Sequence, residues 1–340
     1  MLFSHLIVLL GLLAASFGAE FYCPTVSTKG TDRRTNTSSL RLVQFNAEWL
    51  FMDGFDNCPG TTCPWKTQAD ASSHLSAIAK VISDLNPDVV NFCEVESCDE
   101  LTMLTQNSLL SNRGYKPYMI QGTDSSTGQD NGMLTKIDPT TDLTRTENRV
   151  SYPVSGTSCV SSYTGTYGVS KHYITTLKVS GVNIVMVSLH LLAFPDDQNR
   201  CVQREAQATV IQQVIGPYVS KGYEVILLGD INDWDSQTLD SNNNKPISMV
   251  ADILKGKGTT WSLTNVASKL TVNERYSEWY DENSDCVYNS KENSMIDHIF
   301  VSNGLLSKIT NVFIAHSEYS QSCTNFYYSD HWPVVVDFKF

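Results

Sequence analysis

Apolar runs that end in a polar group recur along the chain. Residues 89–94 read VVNFCE, 184–190 read IVMVSLH and 225–232 read VILLGDIN, delivering Glu94, His190, Asp230 and Asn232. The pair Asp330-His331 stands just before the apolar closing segment, 333–340. Such runs predict strands buried on both faces, and strands that each carry a polar group at one end build a site where those ends converge. Residues 40–51 predict a further strand with Asn46 at its middle, and 133–135, 150–154, 296–301 and 312–316 predict short ones. Residues 173–179 and 182–190 predict a hairpin about Ser180-Gly181.

Helical spacing is found over 74–85, where Leu75, Ile78, Ala79, Ile82 and Leu85 share a face before Asn86-Pro87 ends it. It recurs around 101–110, and over 204–219, where Ala206, Val210, Ile211, Val214 and Ile215 align and Gly216-Pro217 disturbs the end. Residues 247–254 also predict a helix. Segments 121–132, 236–246 and 272–293 are polar and predict loops, the last a long surface loop. Strands dominate and helices are interspersed. The expectation is an α/β fold of two mostly antiparallel sheets packed face to face, with helices outside.

With 340 residues, 41% of them hydrophobic, the chain can bury one large core undivided. No composition break or internal repeat marks a second domain. Residues 1–18 read as a secretory signal, with LIVLLGLLAA as its apolar core and Ser16-Phe17-Gly18 as the cleavage site. That run is short for a membrane span. A polar leader, 19–39, and a single catalytic domain, 40–340, are predicted to follow.

All nine cysteines lie beyond the signal, which implies an oxidising compartment and an odd count, so the expected location is secreted or in the secretory lumen. Cys58 and Cys63 could close a turn. Cys159 and Cys201 flank the strand ending at His190, and Cys286 and Cys323 flank the Asp297 segment. Cys93, inside an apolar strand, is the candidate free thiol, Cys23 and Cys98 are left over, and spacing alone leaves the connectivity open. Asn36-Thr37-Ser38 is a glycosylation acceptor.

The formal net charge is −12. Proteins that hold DNA by their overall field are basic, so a polyanion here would be held locally, by a bound cation and a few Lys or Arg side chains.

The delivered groups are carboxylates, amides and imidazoles, a set that suits a hard divalent cation holding a phosphate ester. Asp230 and Asn232 share parity and could position a water and a phosphoryl oxygen, although alone they suit an Asx turn equally well. Glu94 directly abuts its apolar run and could hold Mg²⁺ or Mn²⁺, with Ca²⁺ as a third choice. A protonated His190 could steady charge on a phosphoryl oxygen. Asp297 lies between apolar neighbours, where a carboxylate needs a partner, and a His331 ring fixed by a carboxylate would supply one. Asp330 could ligate metal. Lys171 and Arg204 are the nearest cations in sequence and candidate phosphate contacts.

Taken in order, QFNAEWL, NFCEVE, VSLH, LLGDIND, MIDHIFVS and YYSDHWPV resemble the endonuclease/exonuclease/phosphatase superfamily, the deoxyribonuclease I-like metal phosphoesterases. The resemblance spans about residues 40–340 and implies a four-layered α/β sandwich. It implies Asn46 and Glu94 at the metal, Glu94 directly, with Asp330 close by. It implies Asp230 orienting or deprotonating the attacking water and Asn232 binding the phosphate. His190 and His331 would stabilise the pentacovalent phosphorus, with Asp297 holding His331.

Within that superfamily the signal, the E-V-E of the second motif, GDIND and the stretch Cys201, Arg204, Gln207 look most like secreted nucleases, so DNA is the expected substrate. Sphingomyelinase-type phospholipid cleavage is the alternative, since YYSDHWPV also resembles the end of those enzymes. Against it, an exposed aromatic hairpin is missing, and Tyr276, Trp279 and Tyr280 are the only candidate cluster. The inositol-polyphosphate branch is excluded by its missing W-C-D-R-type motif. A secreted binding module with a dead site would have lost site residues, and none is missing. No obligate protein partner is expected. The balance of 24 Lys plus Arg against 36 Asp plus Glu departs from nucleases that grip DNA tightly.

Overall fold

The computed structural model describes residues 21–52, 64–316, 319 and 328–340. The apolar runs form strands. In chain order these are β1 (Ser39–Leu50), β2 (Val89–Val95), β3 (Lys116–Met119), β4 (Asp130–Thr135), β5 (Val150–Tyr152), β6 (Gly165–Tyr167), β7 (Lys171–Val179) and β8 (Val182–His190). They continue as β9 (Glu224–Asp230), β10 (Leu263–Asn265), β11 (Glu278–Trp279), β12 (Asn293–Ser294), β13 (Asp297–Ser302), β14 (Ile309–Ile314) and β15 (Val334–Lys339). The helices are α1 (Gln68–Leu85), α2 (Cys98–Gln106), α3 (Gln198–Ser220), α4 (Val250–Leu254) and α5 (Asn303–Leu306).

One sheet has the order β14-β15-β1-β2-β4-β3 and the other β10-β13-β9-β8-β7. Each contains a single parallel pair, β1 with β2 and β8 with β9. All other pairings are antiparallel, so the mixed α/β sandwich agrees with the expected class.

Side-chain parity assigns the layers. Ile184 and Met186 of β8, Ile226 and Leu228 of β9, and Ile299 and Val301 of β13 join the core shared with the first sheet and α1. Their neighbours Val185, Val187, Leu189, Val225, Leu227 and Phe300 pack outward against Ile211 and Ile215 of α3 and Val250 and Leu254 of α4. On α1 the inner face is Leu75, Ile78, Ala79, Ile82 and Leu85, as the spacing predicts. Fully burying an Ile such as Ile78 contributes about 2–3 kcal/mol.

Some elements differ from the sequence expectation. Helix α2 starts at Cys98 and ends at Gln106, because Ser97 caps it by accepting from Asp99 N. Helix α3 runs past Gly216-Pro217 to Ser220. Segment 272–293 is not simply a surface loop: Ser277 and Trp279 are buried, and β11 pairs with β12. Disulfides join Cys159 to Cys201 and Cys23 to Cys98, and Cys93 is a free buried thiol. Cys286 is disulfide-bonded, whereas Cys58, Cys63, Cys323 and residues 1–18 lie outside the described residues. Asn36 is exposed, and its Oδ1 accepts from Ser38 Oγ at 2.8 Å. Among the described residues no helix is long and apolar enough to cross a membrane.

Candidate active site

The inward faces of the two sheets turn polar toward one edge. Gln44 and Asn46 of β1, Asn91 of β2, His190 of β8, Asp230 of β9 and Asp297 of β13 are all buried there. The register explains the convergence. His190 pairs with Asp230 across the parallel β8/β9 ladder, and Asp230 pairs with Asp297 across the antiparallel β9/β13 ladder. Gly229 makes the first ladder possible. Its φ is +147°, and a Cβ placed there would lie 1.7 Å from Leu189 O.

Glu94 enters differently. Its neighbour Cys93 points inward, toward Leu189 O, so strict alternation would send Glu94 to the helix side. The residue instead has φ +64°, and pairing on both flanks of β2 shifts around it. This bulge swings the carboxylate back. Glu94 Oε1 accepts from Asn46 Nδ2 at 3.2 Å, and Oε2 accepts from Trp49 N at 3.1 Å.

Asn46 Nδ2 also donates to Asp230 Oδ2 at 3.1 Å, while its Oδ1 accepts from Glu48 N. The amide therefore spaces two carboxylates with its N–H groups. Its oxygen is turned to Glu48 N rather than toward the carboxylates. His190 Nε2 lies 3.6 Å from Asp230 Oδ2 and 4.0 Å from Glu94 Oε1. His331 Nε2 lies 4.0 Å from Asp230 Oδ2 and 3.7 Å from Asp330 Oδ1. Asn232, at φ +49°, donates its backbone N–H to Asp230 Oδ1 and its Nδ2–H to Leu191 O. The Asx turn and the site thus use the same two residues.

Charge differs between the two imidazoles. Burial opposes charge on His331, but Asp297, Asp330 and Asp230 together hold its pKa well above the ordinary value. Burial, Lys171 and His331 push His190 well below it, although its Nε2 also faces the carboxylates of Asp230 and Glu94. Burial and the charge of Asp297 push Asp230 well up, while burial raises Asp330 to about 7 against the pull of His331.

The two predicted substrate cations fare differently. Lys171 lies opposite His190 in register, but its Nζ is taken by Gln129 at 3.2 Å and Asp124 at 3.6 Å. Arg204 is corrected outright: it is 0% exposed. It donates to Asp233 and to the carbonyls of Leu192, Ala193, Phe194 and Pro195. It ties the loop after His190 to the loop after Asn232 and is out of reach of a substrate.

Sequence reading missed a buried chain of polar groups behind Asp297. Tyr173 OH donates to Asn91 Oδ1, Asn91 Nδ2 to Gln44 Oε1, and Gln44 Nε2 to Asp297 Oδ1. Ser277 Oγ donates to Asp297 Oδ2 at 2.9 Å. Glu278, in the misread loop, was missed as well. The available signal was polar residues at inward positions of otherwise apolar strands, Gln44 and Asn91 among them.

The donor set fits a hard divalent cation. Ligand atoms of Asp230, Asp297 and His331 lie within 4.8 Å of one another. Asp297 is engaged by Gln44, Ser277 and His331, and the neighbouring carboxylates that could hold an ion are those of Glu94, Asp230 and Asp330.

Residues 43–331 match the Endonuclease/Exonuclease/phosphatase family, and the chain belongs to it. Members of that family are in general hydrolases of phosphodiester bonds. No curated protein matches the chain. Solved structures share the fold at low identity. D. rerio TDP2 complexed with a single-strand DNA product is 16% identical at a TM-score of 0.53, over 89% of this chain and 100% of that one. An endonuclease/exonuclease/phosphatase from Bacteroides vulgatus is 16% identical at 0.55, over 89% and 99%. The human Nocturnin catalytic domain with bound sulfate is 17% identical at 0.50, over 91% and 96%.

Proposed function

We propose that the protein is a secreted, divalent-metal-dependent phosphodiesterase that hydrolyses DNA. The observation that carries this is the convergence of Glu94, His190, Asp230 and His331 on one point, from four strands or strand ends far apart in sequence. Glu94, Asp230 and Asp330 would hold Mg²⁺ or Mn²⁺, or Ca²⁺, which when bound supplies positive charge and Lewis acidity to the phosphoryl group. Asp230 accepts the proton of the attacking water, and Asn232 orients Asp230 through its backbone N–H. His331, held protonated, offers Nε2–H to charge building on a phosphoryl oxygen. His190 stands on the opposite flank of Asp230, its Nε2 3.6 Å from Oδ2.

The DNA reading is supported by the neighbour crystallised with a single-strand DNA product. Secretion is supported by the disulfides and by the signal-like residues 1–18.

One observation favours phospholipid as a second reading. Tyr280, Val287 and Tyr288, beyond β11, are 57%, 63% and 44% exposed and could meet a lipid surface.

The test is a substrate panel on the purified protein. Plasmid cleavage in Mg²⁺ that stops in EDTA, and is lost in Asp230→Asn, is expected. Choline phosphate release from sphingomyelin vesicles with intact plasmid would replace DNA by lipid. Full turnover in chelator, or in Asp230→Asn, would overturn the mechanism.

A further inference from the structure

A cavity of about 930 Å³ lies at the far end of the first sheet from the candidate active site. Arg41 near the start of β1, Asp88 just before β2 and Lys339 at the end of β15 line it. Glu94 lies six residues beyond Asp88 along β2, about 20 Å at 3.3 Å per residue. Arg33, Arg34, Arg113 and Lys136 bring the lining cations to six, against two lining acids, Asp88 and Asp337. The whole chain has 24 Lys plus Arg against 36 Asp plus Glu, so the balance is inverted here.

Three of the six are taken up by acids. Arg33 forks onto Asp138, Arg34 onto Asp32 and Arg41 onto Asp337. The other three are not. Lys136 Nζ donates to Asn86 Oδ1 at 3.0 Å and reaches Asp88 Oδ1 only at 3.8 Å. Arg113 donates to Ser83 O and Ser83 Oγ, both neutral. Among the described residues neither Arg113 nor Lys339 has an ion-pair partner.

Capping of α1 accounts for part of this. Ser83, Leu85 and Asn86 form its C-terminal end, where cations are favoured. Six cations, less Asp32, Asp88, Asp138, Asp337 and the half charge of a helix end, still leave a surplus of about +1.5. Lys116, on Asp138, and Lys308, over the Phe340 ring, stand just outside the cavity, and the terminal carboxylate offsets only one of them. The surplus is felt at Lys136, which is 8% exposed. Burial depresses its pKa, and Arg113 and Arg34 add to this against the pull of Asp88. An anion seated there would relieve like-charge crowding around a buried ammonium.

We infer that this cavity is a binding site for a phosphate dianion, free or as the monoester of a small molecule, held chiefly by Arg113 and Lys136 with Lys339 lending charge. A phosphomonoester carries about −1.5 to −2 at neutral pH and accepts charge-assisted hydrogen bonds from Arg and Lys, whereas a carboxylate matches only part of the surplus. The site is independent of what the active site cleaves.

The test is calorimetric titration of the purified full chain without added divalent cation, so that the acidic site holds no anion through a metal. The probes are inorganic phosphate, glucose 6-phosphate and thymidine 5′-monophosphate, with glucose, thymidine and acetate as controls. Because Asn36 also lines the cavity, each titration is repeated after endoglycosidase treatment. One-site binding of a phosphate probe is expected, at least about 10-fold tighter than acetate, with none of glucose or thymidine. An ester that binds more tightly than phosphate assigns the rest of the cavity to its organic part, and equal affinities assign the site to the free ion. Arg113→Gln should weaken binding about 10–100-fold, and Lys339→Gln, at an exposed side chain where folding is not at risk, about 2–5-fold. Absence of binding before and after endoglycosidase, acetate as tight as phosphate, or wild-type affinity in both variants would overturn the inference.

Discussion

His331 Nδ1 donates to Asp297 Oδ2 at 2.6 Å, and the carboxylate that accepts it is itself held by Gln44 and Ser277. Asp297 and His331 are both buried. The pair therefore sets both the direction of Nε2, toward Asp230 and Asp330, and the charge on the ring.

Asp297→Asn tests that relationship. It keeps the shape but removes the charge that favours the imidazolium. A fall in kcat of about 10²–10⁴-fold is expected, with little change in thermal unfolding. The alkaline limb of the pH–rate profile should also move to lower pH, because His331 would lose its proton earlier. An unshifted profile would mean that Asp297 does not tune the ring.

Gly229→Ala should be severe. The added Cβ would meet the Leu189 carbonyl, and φ +147° strains any L side chain. A loss of more than about 3 kcal/mol is expected in chemical denaturation, together with loss of activity, since His190 and Asp230 lie at the ends of the same ladder. Near wild-type stability would show that β8 and β9 can separate there.

The Cys159–Cys201 bridge closes a loop of 42 residues around β7 and β8. By loop entropy, replacing both with Ala should cost about 4 kcal/mol, read as a lowered denaturation midpoint in oxidising buffer. Because Cys201 is also buried in the first turn and a half of α3 beside Val202, the double variant should lose more than breaking this bridge by reduction does.

His172 predicts an acid weakness. Burial, then Arg145, pulls its pKa down to about 3, and its Nε2 accepts from Thr146 N at 2.9 Å. The unfolded state binds the proton near pH 6.5 and the folded state near pH 3, so stability is full above the former and falls with acidification between the two. Denaturation midpoints at stepwise lower pH should drop less steeply in His172→Gln than in wild type. Parallel curves would assign the acid loss to other groups.

Much of this protein is legible before folding. Apolar runs ending at His190 and Asp230, and the one that follows Asp330-His331, mark buried strands and their polar tips, because burial and period-two alternation are local properties of a strand. The helical face of 74–85 is local in the same way. What the tertiary structure decided is pairing across long separations. Gln44 meets Asp297 across 253 positions, and Glu278 faces His331 from a segment that composition marks as loop. Glu94 reaches the site only through a bulge whose positive φ no propensity announces. Arg204, a free cation on paper, is claimed by carbonyls that exist as a cluster only once the loop after His190 has folded. Patterning reports which face of an element is buried, but which groups meet across that buried space depends on register and on backbone irregularities set by the whole fold.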